Sequence, residues 1–199
     1  ERAFLKLWTH PNPIGKKGKE LCDCLIVCGN RIIIISVKDV QYKDTGDIAG
    51  WKRWIKAAIE KSAAQIWGAE RWLDSAQSFT RDDGREVELP PKDERIIHRI
   101  SVSLGAQRKI PTKSGDLGHG VVHVCDEYSL GAIFGLLDTI TDFVVFLSEV
   151  EALISRANVI FIGGGIEDLL AIYLLNNYSF PFKEADILTI DDTVFKGFV

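Results

Sequence analysis

Residues 24–38 read CLIVCGNRIIIISVK and contain the clearest structural signal in this chain. Two apolar, β-branched runs flank the dipeptide Gly29-Asn30, and a two-residue loop of this kind between such runs is a strong signal for a β-hairpin. If the loop contains only these two residues, facing residues on the two strands have numbers that add to 59. The pattern therefore predicts two antiparallel strands in one fixed register.

This register places a carboxylate, a hydroxyl and an ammonium group together. Asp23 lies opposite Ser36, and Lys38 lies one step further along the same face. Directly opposed Cβ atoms are about 4.5 to 5.5 Å apart and diagonal neighbours about 7 to 8 Å, which is close enough to address one metal ion or one phosphate. Taken singly, Asp23 is equally typical of an acid at a strand edge, and Lys38 of a solvated residue where a strand ends.

Composition and charge limit the class of protein. The chain has 199 residues, 46% of them hydrophobic, which is typical of a globular fold and argues against disorder. Its formal net charge is −4, so a surface that binds nucleic acid has to be local. The apolar runs are shorter than the roughly 20 residues that span a bilayer, and the first residues lack a secretory signal pattern. We expect a cytoplasmic protein that does not bind membranes.

Cysteine and histidine spacing gives only weak support for a metal site. Cys22, Cys24 and Cys28 are close in sequence, and their strand context favours small core residues. A zinc site is the weaker alternative, because a strong zinc motif repeats a closely spaced pair of Cys or His later in the chain. His119 and His123 share one face of an apparent strand at too great a distance for joint ligation, so a structural role is predicted for both.

Further elements are predicted on both sides of the hairpin. Apolar residues recur at intervals of three and four from Trp51 to Leu73, which predicts a helix packed across the hairpin. The end of a helix is predicted at residues 4–8. Strands are predicted at 95–104 and 119–124, two helices between 129 and 155, and a strand, glycine turn and helix over 158–176. These elements indicate an α/β fold with a mixed sheet flanked by helices.

The hairpin and the helix together resemble the PD-(D/E)xK nuclease superfamily, also called restriction-endonuclease-like. The matching residues are Glu20 and Asp23 before the hairpin, the Ser-x-Lys sequence of residues 36–38 on its second strand, and Lys61 with Gln65 on the helix. The resemblance covers roughly residues 1–73. Within this superfamily, the chain is similar in detail to a bacterial group whose function is not settled. Members of that group share KELCD, Ser-x-Lys and QIWGAERW stretches.

The resemblance implies a single α/β domain over residues 1–199, with a restriction-endonuclease-like core in 1–80 and a C-terminal α/β extension in 81–199. It also implies a nuclease that uses Mg²⁺ or Mn²⁺ to hydrolyse phosphodiester bonds in nucleic acid. DNA is the expected substrate, and RNA is the alternative. Restriction, repair or defence against foreign DNA is the expected context. A homodimer is compatible with this class.

The resemblance also implies roles for single residues. Asp23 binds the metal, and Glu20 is a further ligand or orients the others. Lys38 contacts the scissile phosphate or orients the attacking water, Gln65 reaches over the site from the helix, and Lys61 contacts the nucleic acid. Such an arrangement supplies the nucleophile and the charge stabilisation that phosphodiester hydrolysis requires.

Ser36 departs from the family pattern, which has Asp or Glu at this position. A neutral hydroxyl lowers both the negative charge of the site and its affinity for a hard cation. Glu20, Asp39 through a local bulge, or an acid from sequence preceding residue 1 would restore that charge. The alternative function is a catalytically impaired nuclease fold that binds nucleic acid or a protein. A third alternative, an anion sensor at residues 163–165, is weakened by the two acids that follow at 167 and 168.

Overall fold

The structure is a computed structural model that describes residues 5–43, 47–106, 114–156, 159–162, 164–182 and 187–198. Ten strands lie within these ranges. The strands are β1 (Thr9–Pro11), β2 (Cys24–Cys28), β3 (Arg31–Asp39), β4 (Ser78–Thr80), β5 (Glu86–Glu88), β6 (Ile96–Leu104), β7 (Gly115–Asp116), β8 (Val121–Cys125), β9 (Val159–Ile162) and β10 (Ile187–Ile190).

The helices of the described ranges are α1 (Ile48–Ile55), α2 (Lys61–Leu73), α3 (Glu127–Leu136), α4 (Ile140–Arg156), α5 (Ile166–Leu175) and α6 (Val194–Phe198). A π-helical turn, Lys56–Glu60, joins α1 to α2 without a break. The helix predicted from Trp51 to Leu73 is therefore confirmed, and it starts one turn earlier. None of the described helices has the length and apolar character needed to cross a bilayer.

Six strands form one mixed sheet in the order β1-β2-β3-β6-β8-β7. The first three are antiparallel, β3, β6 and β8 run parallel to one another, and β7 is antiparallel to β8. Strands β4 and β5 form a separate hairpin, and β9 and β10 form a separate parallel pair. The predicted α/β class, with a mixed sheet flanked by helices, is confirmed, and the sheet takes strands from both sides of residue 80.

The hairpin has the register that the turn predicts. Cys24 faces Ile35 and Cys28 faces Arg31, so facing numbers add to 59. Gly29 has a φ of 58° and Asn30 is not among the residues of positive φ, which matches a turn with left-handed backbone at its first central position. Glycine adopts that conformation without the steric cost that a side chain incurs.

The central strand β3 buries side chains on both of its faces. Ile32 and Ile34 pack against Ile66 and Leu73 of α2, whereas the alternate residue Ile33 joins the cluster that includes the buried face of α4. Successive side chains of a strand point to opposite sides, so a run of four isoleucines supplies both layers of the core. We call these two sides of the sheet the α2 face and the α4 face.

The prediction of a helix end at residues 4–8 is wrong for the part that the structure describes. Residues 5–8 form a turn, Thr9 begins β1, and residue 4 lies outside the described residues. The Trp8 carbonyl accepts a hydrogen bond from the Val27 amide, which adds β1 to the edge of the hairpin. A strand of three residues is too short to show an alternating pattern in sequence.

Candidate functional site

The predicted convergence across the hairpin is present on the α2 face. Lys38 Nζ lies 3.8 Å from Asp23 Oδ2 and donates a hydrogen bond of 2.5 Å to Gln65 Oε1. Ser36 Oγ donates to the same Gln65 oxygen at 2.9 Å. The carboxylate, the ammonium group, the hydroxyl and the amide therefore form one polar cluster, which we call the Asp23 site.

Backbone hydrogen bonds hold Asp23 in place although it precedes β2. Its Oδ2 atom accepts from the Val37 amide at 2.8 Å, and its carbonyl accepts from the Asn12 amide at 3.1 Å. The carboxylate is thereby directed across the hairpin toward β3. This contact depends on the predicted register, because a slip of one residue would turn Ser36 and Lys38 to the other face of the sheet.

A second contact fixes the helix on the strand. Ser62 Oγ, buried in α2, donates to the Ser36 carbonyl at 3.1 Å. Ser62 and Gln65 are three residues apart, so they project from one side of the helix. The π-helical turn lies directly before them, and such turns occur frequently at functional sites.

Exposure divides the cluster into an accessible part and a closed part. The side chains of Lys38 and Asp23 are 26% and 32% exposed, whereas Ser36 is fully buried. Solvent and a solute can therefore reach both ionised groups. The Ser36 hydroxyl lies beneath them as a donor to Gln65, where it is not free to bind an ion from solution.

The other predicted site residues lie apart from this cluster. Glu20 is exposed and forms an isolated β-bridge with Ile14, and the described contacts do not link its carboxylate to Asp23. Asp39 is exposed, and its carboxylate accepts a hydrogen bond from Gln41. Lys61 is exposed at the start of α2, one helical turn before Gln65. Asp23 is thus the one carboxylate that the described contacts connect to Lys38 and Gln65.

Two serines of β6 extend the polar character of the site. Ser101 pairs in register with Ser36, and Ser103 pairs with Lys38. Both serines are fully buried, and their hydroxyls have no hydrogen-bond partner among the described residues. Residues paired in neighbouring strands lie about 4.8 Å apart and point to the same side. The two serines were not predicted as site residues, although they alternate with apolar residues in the predicted strand 95–104.

A second cluster lies on the α4 face. His98 Nδ1 and His123 Nε2 donate to the same oxygen, Glu151 Oε1, at 2.9 and 3.1 Å. His98 is in β6, His123 in β8 and Glu151 in α4. Both histidine side chains are fully buried, and the Glu151 side chain is 24% exposed. We call this group the His98 cluster. Neither His98 nor Glu151 was predicted from the sequence as a site residue.

The environment of the His98 cluster favours neutral imidazole at His123 and ionised carboxylate at Glu151. Burial lowers the pKa of His123, although the hydrogen bond to Glu151 acts in the opposite direction. Burial alone would raise the pKa of Glu151, but the hydrogen bonds from His123 and His98 hold it at about 2. Glu151 therefore carries a negative charge at neutral pH.

The prediction that His119 and His123 share a strand face is wrong. Strand β8 begins at Val121, so His119 precedes it, and the His119 ring lies 4.8 Å from the Trp67 ring in an edge-to-face contact. His123 instead contacts Glu151. A structural role for His119 agrees with this aromatic contact.

The surroundings of the cysteines agree with the prediction that they are small core residues. All four are free thiols. Burial raises the pKa of the Cys22 thiol far above its ordinary value and raises that of Cys24 to about 11. Metals bind the thiolate, so these environments disfavour a zinc site at this position.

Two acids at the start of α5, Glu167 and Asp168, accept hydrogen bonds from other groups of the protein. Asp168 accepts from the Gly165 amide at 3.1 Å and from the Phe195 amide at 2.9 Å. The buried Glu167 accepts from Ser129 Oγ, and burial raises its pKa. Gly163 lies outside the described residues. An anion at this helix start would meet two carboxyl groups, so the anion-sensor alternative gains no support.

Comparison with protein-family models, with curated proteins and with solved structures finds no match to this chain. Its function is therefore inferred from its own residues. The Asp23 site and the His98 cluster are the two groups of polar side chains from which that inference starts.

Proposed function

We propose that this protein is a metal-dependent nuclease with a restriction-endonuclease-like core, which hydrolyses phosphodiester bonds in nucleic acid, with DNA as the proposed substrate. The observation that supports it is that one ammonium group contacts both a carboxylate and an amide oxygen at an accessible end of the hairpin. Asp23, Lys38 and Gln65 supply these three groups. They come from separate segments that the hairpin register and the α2 contact bring together.

The Asp23 site has the smallest number of carboxylates, one, with which Mg²⁺ is usually bound in proteins. Mg²⁺ in proteins usually keeps several waters and binds through one or two carboxylates together with substrate phosphates. Asp23 offers one partly exposed carboxylate, and waters together with a substrate phosphate would supply the remaining ligands. When bound, the ion would lower the pKa of a water and stabilise charge on the phosphate.

Lys38 acts on the charge that develops at phosphorus. Its ammonium group is held by Gln65 and lies beside the carboxylate, from which position it contacts a phosphate oxygen. In the hydrolysis, the oxygen of water bonds to phosphorus, the bond from phosphorus to the leaving sugar oxygen breaks, and the proton released by water restores a hydroxyl on the leaving group. Gln65 positions Lys38 in this scheme.

The neighbouring surface supports binding of an anionic polymer despite the net charge of −4. The exposed side of the helix beside the site carries Lys52, Lys56 and Lys61. Exposed cations near the site attract phosphates locally and make binding dependent on salt. Lys61, one turn from Gln65, is the proposed contact to the nucleic acid.

One observation favours a second candidate, a domain that binds nucleic acid without cutting it. Ser36 is buried and neutral where the superfamily pattern has a second acid, and its hydroxyl is used by Gln65. A site with a single carboxylate binds a hard cation more weakly than a site with two. The same Lys38 and Lys61 would then recognise phosphate groups.

The test incubates the full chain with plasmid, linear and single-stranded DNA and with RNA, in Mg²⁺ or Mn²⁺. We expect cleavage that Asp23→Asn and Lys38→Met each abolish. A matched control is the exposed ion pair of Asp74 and Lys92, whose atoms lie 2.8 Å apart, so Asp74→Asn and Lys92→Met should retain full activity. Cleavage that survives both site variants would refute the proposed roles.

Binding measurements separate the two candidates. Binding of labelled DNA without cleavage, lost in Lys38→Met, would support the second candidate. In that case Ser36→Asp, which restores the acid of the superfamily pattern, should raise Mg²⁺ affinity and introduce cleavage. A wild-type protein that neither binds nor cuts any of the four substrates would refute both candidates.

A further inference from the structure

We propose that His98, His123 and Glu151 form a binding site for one divalent transition-metal ion of the zinc class. The site lies on the α4 face of the sheet and uses none of the residues of the Asp23 site. It is independent of the proposed nuclease function, and its ion differs in chemical class from Mg²⁺.

The geometry of the three ligand atoms is the first support. Both ring nitrogens approach the same carboxylate oxygen, at 2.9 and 3.1 Å, and all three ligand atoms lie within 4.8 Å of one another. Zinc bonds to imidazole nitrogen and carboxylate oxygen are about 2.0 to 2.2 Å long, so neighbouring ligands around a tetrahedral ion are roughly 3.3 to 3.5 Å apart. Only a small outward movement of the Glu151 side chain would admit an ion.

Burial is the second support. The side chains of His98 and His123 are fully buried and face a carboxylate that is only 24% exposed. Their two facing nitrogens and the Glu151 oxygen therefore form a set of ligand atoms that is largely closed off from water, and a cation placed among them would be bound by all three at once.

The donor set selects the class of metal. Two nitrogens and one oxygen suit zinc and neighbouring transition metals, whereas Mg²⁺ and Ca²⁺ favour all-oxygen sites. Three protein ligands leave a fourth position for water. The partly exposed side chain of Glu151 provides the route of entry, since both histidines are closed off from solvent. The ion would tie β6, β8 and α4 together.

The test uses the full chain after removal of metals with a chelator. Titration with Zn²⁺, followed by native mass spectrometry and thermal unfolding, should show one ion per chain and a higher Tm. His123→Gln and Glu151→Gln should each weaken Zn²⁺ binding by about tenfold or more, because each removes one of three ligands. The matched controls His119→Gln and Glu149→Gln, at residues outside the cluster, should bind like the wild type.

Cobalt substitution guards against binding at the cysteines. Co²⁺ bound to nitrogen and oxygen ligands gives visible absorption without the intense thiolate charge-transfer band, and we expect that spectrum in the wild type. Failure of the wild type to take up one equivalent of Zn²⁺ would overturn the proposal. A thiolate band, or Zn²⁺ affinity unchanged in both Glu151→Gln and His123→Gln, would overturn it as well. None of these measurements depends on nuclease activity. The metal site and the nuclease function are therefore tested independently.

Discussion

The two faces of the sheet carry polar clusters of opposite construction. On the α2 face, Asp23 and Lys38 are partly exposed and come from a hairpin whose residues are near in sequence. On the α4 face, His98 and His123 are fully buried, and Glu151 lies 53 and 28 residues away from them in sequence. An accessible pair of ions can act on a solute, whereas a buried triad stabilises the fold or binds an ion.

The two clusters should therefore respond differently to substitution. An exposed ion pair contributes little to stability because water screens it and its side chains lose entropy on pairing. A buried group that loses its partner costs the full desolvation energy. We therefore expect variants of the Asp23 site to change activity and variants of the His98 cluster to change stability.

The largest effect is expected for Lys38→Met. On the proposed function, cleavage should fall by about 10²- to 10³-fold, equal to about 3 to 4 kcal/mol of activation free energy, because a positioned cation is lost at the developing charge. The free energy of unfolding should change by no more than about 1 kcal/mol. Initial cleavage rates and urea titrations of the same preparation measure both. A large loss of stability in this variant would contradict the expectation that substitutions on the α2 face change activity and not stability.

The second effect is expected for Glu151→Ala, measured in the presence of a chelator. Removal of the carboxylate leaves His98 and His123 without their one described hydrogen-bond partner, which should lower the free energy of unfolding by about 2 to 4 kcal/mol. Glu149→Ala on the same helix serves as the control and should have a clearly smaller effect. Urea unfolding within error of wild type for Glu151→Ala would show that the cluster contributes nothing to the fold.

A third effect is a pH dependence specific to the α4 face. The pKa of Glu151 is held at about 2, below its ordinary 4.5, so its stabilisation is present above about pH 4.5 and is lost as the pH falls toward 2. The lowered pKa of His123 acts in the same direction, since the unfolded chain takes up a proton below about pH 6.5 that the folded chain resists.

The measurement compares unfolding free energies of wild type and Glu151→Gln between pH 7 and pH 3. The advantage of the wild type should shrink on acidification by about 2 kcal/mol, a figure reduced from the full shift because Glu151 is partly exposed. Lys38→Met should track the wild type over the same range. A constant difference between wild type and Glu151→Gln would contradict the assigned charge state.

The smallest effect is expected for Ser62→Ala. Loss of its hydrogen bond to the Ser36 carbonyl should cost about 1 kcal/mol of stability. It should also lower cleavage by a few fold, because Gln65 is three residues further along the same helix and would hold Lys38 less firmly. Ser75→Ala, just beyond the end of α2, is the matched control. Activity equal to wild type in Ser62→Ala would show that the helix contact does not position the site.

The α2 face was largely predictable from sequence. A two-residue turn fixes the numbering of facing residues, so the meeting of Asp23 and Lys38 follows from Gly29 and Asn30 alone. The helix period from Trp51 to Leu73 predicts the helix that packs on the hairpin, whereas the site role of Gln65 followed from the family resemblance. Both signals are local, and local signals specify local geometry. Ser101 and Ser103 needed one further fact, that β6 is the neighbour of β3.

The α4 face was not predictable in the same way. Periodicity tells on which side of its own strand His98 lies, but not that β8 is the next strand or that α4 covers both. Parallel strands are joined by long connections, so their neighbours are set by packing of the whole chain. Glu151 appears in the sequence as one more acid on an amphipathic helix. The short strand β1 was missed for a different reason, its length.

Strand β6 serves both clusters with alternate side chains. His98 points to the α4 face, while Ser101 and Ser103 line the α2 face. Single replacements in this nine-residue segment alter one cluster at a time. An insertion of one codon between Ile97 and His98 would instead invert every later side chain, turning the imidazole toward α2 and the two hydroxyls toward α4. We therefore expect a single replacement in β6 to be tolerated better than an insertion or deletion of one residue.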